Sequence, residues 1–109
     1  MPELILTDKN FVKEVLEEKE VPVLVDFWAP WCQPCLMMGP IVEKIAKELE
    51  GRMKVGKISV EDNQATAVKY NISSIPTFLI FKKGEVAEQM AGAMPYDVFQ
   101  KKLDGFLRQ

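Results

Sequence analysis

The chain has 109 residues, with 14 Lys and Arg against 16 Asp and Glu, a formal charge of −2 and no histidine. That length suits one compact domain, residues 1–109, with room for a real core, and the near-neutral balance argues against nucleic acid or an anionic membrane surface as a partner. Without histidine no Ser-His-Asp or Cys-His nucleophile can be built, and a tetrahedral zinc site would need ligands from a second chain.

Glu3–Leu6 is a short candidate edge strand. Thr7 or Asp8 is expected to cap a helix in which Phe11, Val12, Val15 and Leu16 form one apolar stripe. Val21–Trp28 reads as a strand, with Pro22 near its start, where a missing N–H is tolerated. Its nearly unbroken apolar run implies burial on both faces of a sheet covered by helices. Ala29–Trp31 is a loop. Cys32–Glu50 reads as a helix, since Met38, Ile41, Ile45 and Leu49 recur at helical spacing and Gly51 ends it. Pro34 suits the first turn. Pro40 falls inside the pattern and is expected to kink it.

Met53–Val60 is a second central strand. Asn63 is expected to cap a short helix through Ala65–Tyr70, and Asn71–Ile75 is a loop. Pro76 opens a strand through Phe81, and Lys83-Gly84 marks a hairpin turn into Val86–Ala91. Pro95 starts a last helix with Val98, Phe99, Leu103, Phe106 and Leu107 facing the core. The order β-α-β-α-β-α-β-β-α predicts an α/β fold: a mixed sheet with a parallel core and an antiparallel hairpin edge, flanked by helices on both faces.

No apolar stretch is long enough to span a bilayer, so no membrane association is expected. Met1–Asp8 lacks a basic segment followed by an apolar one, so no secretory leader is expected and a cytoplasmic location follows. In a reducing compartment a lone cysteine pair is catalytic or metal-binding more often than structural. Cys32 and Cys35 are the only cysteines, and two residues separate them. Their place between an apolar strand and a helix puts one thiol at a helix start and the second one turn further in. Redox exchange is the leading reading. An inert disulfide and a zinc half-site shared between two chains are the alternatives.

Trp31-Cys32 and Pro34-Cys35 do not stand alone. Asp26-Phe27-Trp28-Ala29 precedes them, and Pro40, Lys57, Ile75-Pro76-Thr77, Lys83-Gly84 and Gly92-Ala93 follow in order and spacing. Together they make the chain resemble the thioredoxin family over essentially its whole length. The resemblance implies the thioredoxin fold and a thiol–disulfide oxidoreductase that reduces protein disulfides through a reversible Cys32–Cys35 dithiol. It also implies a thioredoxin reductase as electron donor, disulfide-containing proteins as substrates, a monomer, and no bound cofactor or metal beyond the redox-active disulfide.

The residue chemistry is compatible with that. Thiolate is the attacking species, and the unpaired N–H groups and dipole of a helix start should depress the pKa of Cys32. Cys32 would form a mixed disulfide and Cys35, deeper on the same face, would resolve it. Asp26 is a carboxylate in a buried strand, so its pKa should be raised. The resemblance implies that it lies below Cys35, exchanges that thiol's proton through a water, and pairs with Lys57. A purely structural ion pair is the other reading. The family has a cis peptide at the position of Pro76, which would expose the Ile75 backbone to an added substrate strand. By the same analogy Trp31, Val60, Ile75, Pro76, Gly92 and Ala93 ring Cys32 as an apolar substrate surface, with core packing equally expected for Val60.

Trp28, Met37 and Met38 read as packing residues, and Lys101-Lys102 as a solvated helix face. The chain departs from the family at Gln33, Leu36 and Pro30, where Gly, Lys and a polar residue are usual. Gln33, Pro34 and Leu36 are therefore expected to tune potential and partner approach. A thioredoxin-fold binding module whose redox state is incidental is the alternative function.

Overall fold

The computed structural model describes residues 3–109. Strands β1 (Glu3–Leu6), β2 (Val23–Trp28), β3 (Lys54–Ser59), β4 (Thr77–Lys82) and β5 (Glu85–Ala91) form one sheet in the order β1-β3-β2-β4-β5. β2 pairs with β3 in parallel, and β1 with β3 likewise. The antiparallel half begins where β4 pairs with β2 and continues through the β4–β5 hairpin. Helices α1 (Gln33–Glu48), α2 (Gln64–Lys69) and α3 (Tyr96–Leu107), with a π-helical segment at Val12–Leu16, cover the sheet.

β2 and β4 lie in the middle of the sheet and are almost wholly buried. That is the physical content of their continuous apolar runs. β2 begins at Val23 rather than Val21, since Pro22 has no N–H to donate and contributes only its carbonyl, which accepts from Lys54 N at 2.9 Å. The β4–β5 turn places Lys83 at φ 53° and Gly84 at φ 84°, the twin left-handed pair that suits a two-residue hairpin. A Cβ on Gly84 would stand 2.7 Å from the Leu16 carbonyl oxygen, so this turn also needs glycine for close approach.

Alternate residues send two cores to opposite faces. Leu24, Val55, Phe78 and Ile80 meet Met38, Val42 and Ile45 of α1 and Phe99 and Leu103 of α3. Val23, Val25, Phe27, Ile58, Leu79 and Phe81 meet Leu6, Phe11 and Val15 on the other face.

Three local expectations need correction. The first helix is not a regular α-helix with a four-residue stripe. Glu17 N donates to Val12 O, an i→i+5 bond of a π turn, and Val12 is exposed rather than part of an apolar stripe. Thr7 rather than Asp8 starts it, exchanging hydrogen bonds with Asn10. Asn63 precedes α2 but does not cap it, because its side chain donates to Ser59 O and accepts from Asp8 N. Asp8 takes over the cap from across the fold, accepting from Thr66 N at 3.0 Å and Thr66 Oγ1 at 2.6 Å. Val98 is exposed, since α3 turns only its Phe99–Leu103 stripe fully inward. α1 runs on through Pro40, and no helix of the described residues is long and apolar enough to cross a membrane.

Candidate active site at the start of α1

β2 ends at Trp28 and delivers the chain to Cys32, which precedes α1 as its N-cap in an extended conformation (φ −93°, ψ 109°), with Pro34 in the first turn. A cap residue must satisfy orphan N–H groups. Here a sulfur does so: Cys35 N donates to Cys32 Sγ at 3.3 Å. Cys32 and Cys35 are joined in a disulfide, with their Cα atoms 5.2 Å apart. The N–H aimed at Cys32 Sγ, and the positive end of α1 behind it, would favour a thiolate there once the bond opens.

Cys32 is not a surface residue in this state. It is 6% exposed against 3% for Cys35, because Ala29 and the partly buried Trp28, Val60 and Ile75 pack around the pair. Openness is supplied by neighbours. Trp31 is 65% exposed and its Nε1 donates to Glu61 Oε1 at 3.1 Å. Gln33 and Pro34 are exposed, as are Leu36 and Met37. Met37 is thus a rim residue, whereas Met38 is buried in the core.

Behind the cysteines, the Ile75–Pro76 peptide bond is cis and Pro76 is buried. Cys32 Sγ lies 3.9 Å from the Ile75 carbonyl oxygen. Gly92 N donates to Pro76 O at 2.9 Å, which brings Gly92-Ala93 to the same end of the sheet. Gly92 has φ 87° with open space where a Cβ would stand. Beyond Ala93, a shallow apolar groove of about 310 Å³ runs between Met37, Met38, Ile41, Met94 and Pro95. Trp31, Val60, Ile75, Pro76, Gly92 and Ala93 therefore converge on one end of the molecule. Val60 packs both against the cysteine cluster and against the core on the π-helical side.

Asp26 sits in β2, two residues before Trp28, and is 3% exposed. Its Oδ1 has no hydrogen-bond partner among the described residues, and neither has Ser59 Oγ. Burial pushes its pKa up from 3.8 to about 7, the nearby Glu3 carboxylate adds to the rise, and Lys57 opposes it. Lys57 is the cross-strand neighbour of Asp26, but the two make no ion-pair contact. The ammonium instead lies over the Trp28 ring, 4.9 Å from its centroid, where the π face attracts a cation. The expected close pair is thus a longer-range attraction. Two residues had escaped the sequence reading. Glu61 holds Trp31, and its signal was an acid directly after the strand that ends beside the motif. Glu3 acts on Asp26, and its signal was an acid in an otherwise apolar strand.

No cluster of three or more His, Cys, Asp or Glu side chains suited to a metal occurs among the described residues. A family model described as Thioredoxin matches residues 2–105. Thioredoxin 2 of Chlorobaculum tepidum is 50% identical over 98 residues, which cover 90% of this chain and 89% of that one. Thioredoxin 1 of Nostoc sp. is 46% identical over 102 residues, 94% of each chain. Thioredoxin of Porphyra purpurea matches to the same extent, 46% over 102 residues and 94% of each.

Proposed function

From the premise that this chain belongs to the thioredoxin family and is a thiol–disulfide oxidoreductase, we propose that it is a cytoplasmic electron carrier, a single-domain monomer spanning residues 1–109. Disulfide-containing proteins are the substrate class the family implies. A thioredoxin reductase recharges the dithiol, and no bound cofactor or metal takes part. The observation that carries the reading is a closed Cys32–Cys35 disulfide whose first sulfur caps a helix start.

In the cycle, Cys32 thiolate attacks one sulfur of a substrate disulfide. A bond forms between Cys32 Sγ and that sulfur, and the other substrate sulfur leaves as a thiolate. Cys35 then loses its proton and attacks Cys32 Sγ. The second substrate thiolate leaves, and two electrons have passed from the dithiol to the substrate. Cys35 is held one helical turn away, so the second step is intramolecular and fast. Asp26 accepts the Cys35 proton through a water, and a pKa near neutrality suits it to give that proton back. Lys57 favours the ionised form of Asp26. Pro76 and the Ile75 backbone seat the substrate strand, and Trp31, Val60, Gly92 and Ala93 supply its apolar contacts. Gln33, Pro34 and Leu36 tune potential and approach. Leu36 stands where the family usually carries a cation, so it gives up some thiolate stabilisation and widens the apolar rim.

Reduction of insulin by dithiothreitol tests this directly. The protein should accelerate it, Cys32→Ser should abolish the acceleration, and Cys35→Ser should accumulate a mixed disulfide with substrate. An intact protein no faster than dithiothreitol alone would favour the binding-module alternative.

A further inference from the structure

Asp26 shares its face of the sheet with more charge than the reaction needs. Ile5, Lys57 and Asp26 stand side by side across β1, β3 and β2. Glu3 stands two residues before Ile5 on β1, and side chains two apart on a strand share a face. That face is the one under α1 and α3, because Leu24 and Val55 pack there. Glu3 is thus diagonal to Lys57 on the same face of the parallel β1–β3 pair, and it is itself only partly exposed. From α1, Glu43 repels it, while Lys57 attracts it. On the β4 side the neighbour of Asp26 is Phe78, which carries no charge. Two carboxylates on one face therefore compete for a single ammonium, and that ammonium is drawn to the Trp28 ring instead of pairing with either.

We propose that Glu3 is a positioning residue for the redox reaction: from the edge strand next to β3 its carboxylate competes with Asp26 for the Lys57 ammonium, and so tunes how readily Asp26 takes up the Cys35 proton. Like charges in a shared low-dielectric setting cannot ionise independently, so the more buried of the two keeps its proton longer. The geometry also explains why a lysine one strand away does not neutralise Asp26. Its field is divided between Glu3, Asp26 and an aromatic face. Removing Glu3 leaves Lys57 to Asp26 alone, and Asp26 should ionise at lower pH. The inference rests on the reading of Asp26 as the proton acceptor, and it adds a residue that shifts, beyond the effect of burial, the pH at which Asp26 works.

The test is a carboxyl NMR titration of the oxidised full-length protein, with Asp26→Asn used to assign the Asp26 signal. Glu3→Gln should move the Asp26 midpoint down by roughly half a unit, Lys57→Met should move it up, and Glu3→Asp should keep it near the wild-type value. The pH dependence of mixed-disulfide resolution should follow the same order. Thermal melts of the variants check that the fold is kept. A Glu3→Gln midpoint equal to wild type would overturn the proposal. The NMR arm reads the Glu3–Asp26 coupling without any turnover, so a failure of Asp26 to act in the cycle would appear separately, as resolution rates indifferent to Asp26→Asn.

Discussion

The two faces of the sheet are built to different standards. Under the π-helical segment and α2, the face is apolar at its centre, and Phe11, Tyr70 and Phe81 pack ring on ring at 5.3–5.7 Å. Its polar groups are pushed to the rim and partnered there. Lys54 reaches Glu14 Oε1 at 2.9 Å and the Glu14 carbonyl at 2.7 Å, and Asp8 is bonded to Thr66. The face under α1 and α3 has an equally dry core, yet a strip of Asp26, Lys57 and Ser59 crosses it, and two buried oxygens on that strip lack partners. Buried polar groups left unsatisfied are costly. The strip lies on the face covered by α1, the helix whose start holds the cysteines, so the polar groups that are costly to bury fall on that helix's side of the sheet.

Breaking the apolar face should produce the largest effect on stability. Phe81 is fully buried between two aromatic rings, and Phe81→Ala should cost about 3–5 kcal/mol. Urea unfolding reads this as a lower midpoint with unchanged slope. A loss under about 1 kcal/mol would mean that this face is not the better packed of the two.

The charged face should respond with the opposite sign. The folded pKa of Asp26, about 7, lies above its ordinary 3.8. Below the lower value both states are protonated and burial costs nothing through ionisation. Between the two values stability falls as pH rises, and above the upper value the whole penalty is present, at most about 4 kcal/mol. Asp26→Asn should therefore flatten the stability-versus-pH curve between these limits and raise stability at alkaline pH. The same change should slow release of substrate from the mixed disulfide. Parallel wild-type and Asn curves would contradict the assignment of a high pKa to this group.

Much of this contrast was legible in the residues. Asp26 stood out because a carboxylate in Leu24-Val25-Asp26-Phe27-Trp28 has nowhere to go but inward. Lys57 falls on the strand that the Met53–Val60 run predicts, but the position of its ammonium was not legible. A flexible four-carbon stem chooses between a carboxylate and an indole face by tertiary geometry. The succession of elements and the buried runs followed from period and composition. The capping of α2 did not. Asn63 is the residue that local rules select, and only the fold brings Asp8 to Thr66 from 58 residues away. The π turn was not legible either, since no residue in Val12–Leu16 announces an i→i+5 bond.

That distant cap gives the smallest expected effect and the sharpest contrast in sign. Asp8 is exposed. The Thr66 hydroxyl, ahead of the backbone N–H groups at the start of α2, holds its carboxyl below the usual range. A lowered folded pKa stabilises the protein above the unfolded value and loses that contribution as pH falls through the folded one. Asp8→Ala should thus cost about 1 kcal/mol at most near neutrality, since solvent screens an exposed carboxylate. The cost should vanish in acid, where Asp26 in turn ceases to carry its penalty. Chemical denaturation of the wild type and Asp8→Ala at neutral and acid pH would read it. Equal costs at both would mean that Asp8 acts by packing rather than as a charged cap. One carboxylate would then stabilise the fold by keeping its charge at a rim, while the other avoids a penalty only by keeping its proton.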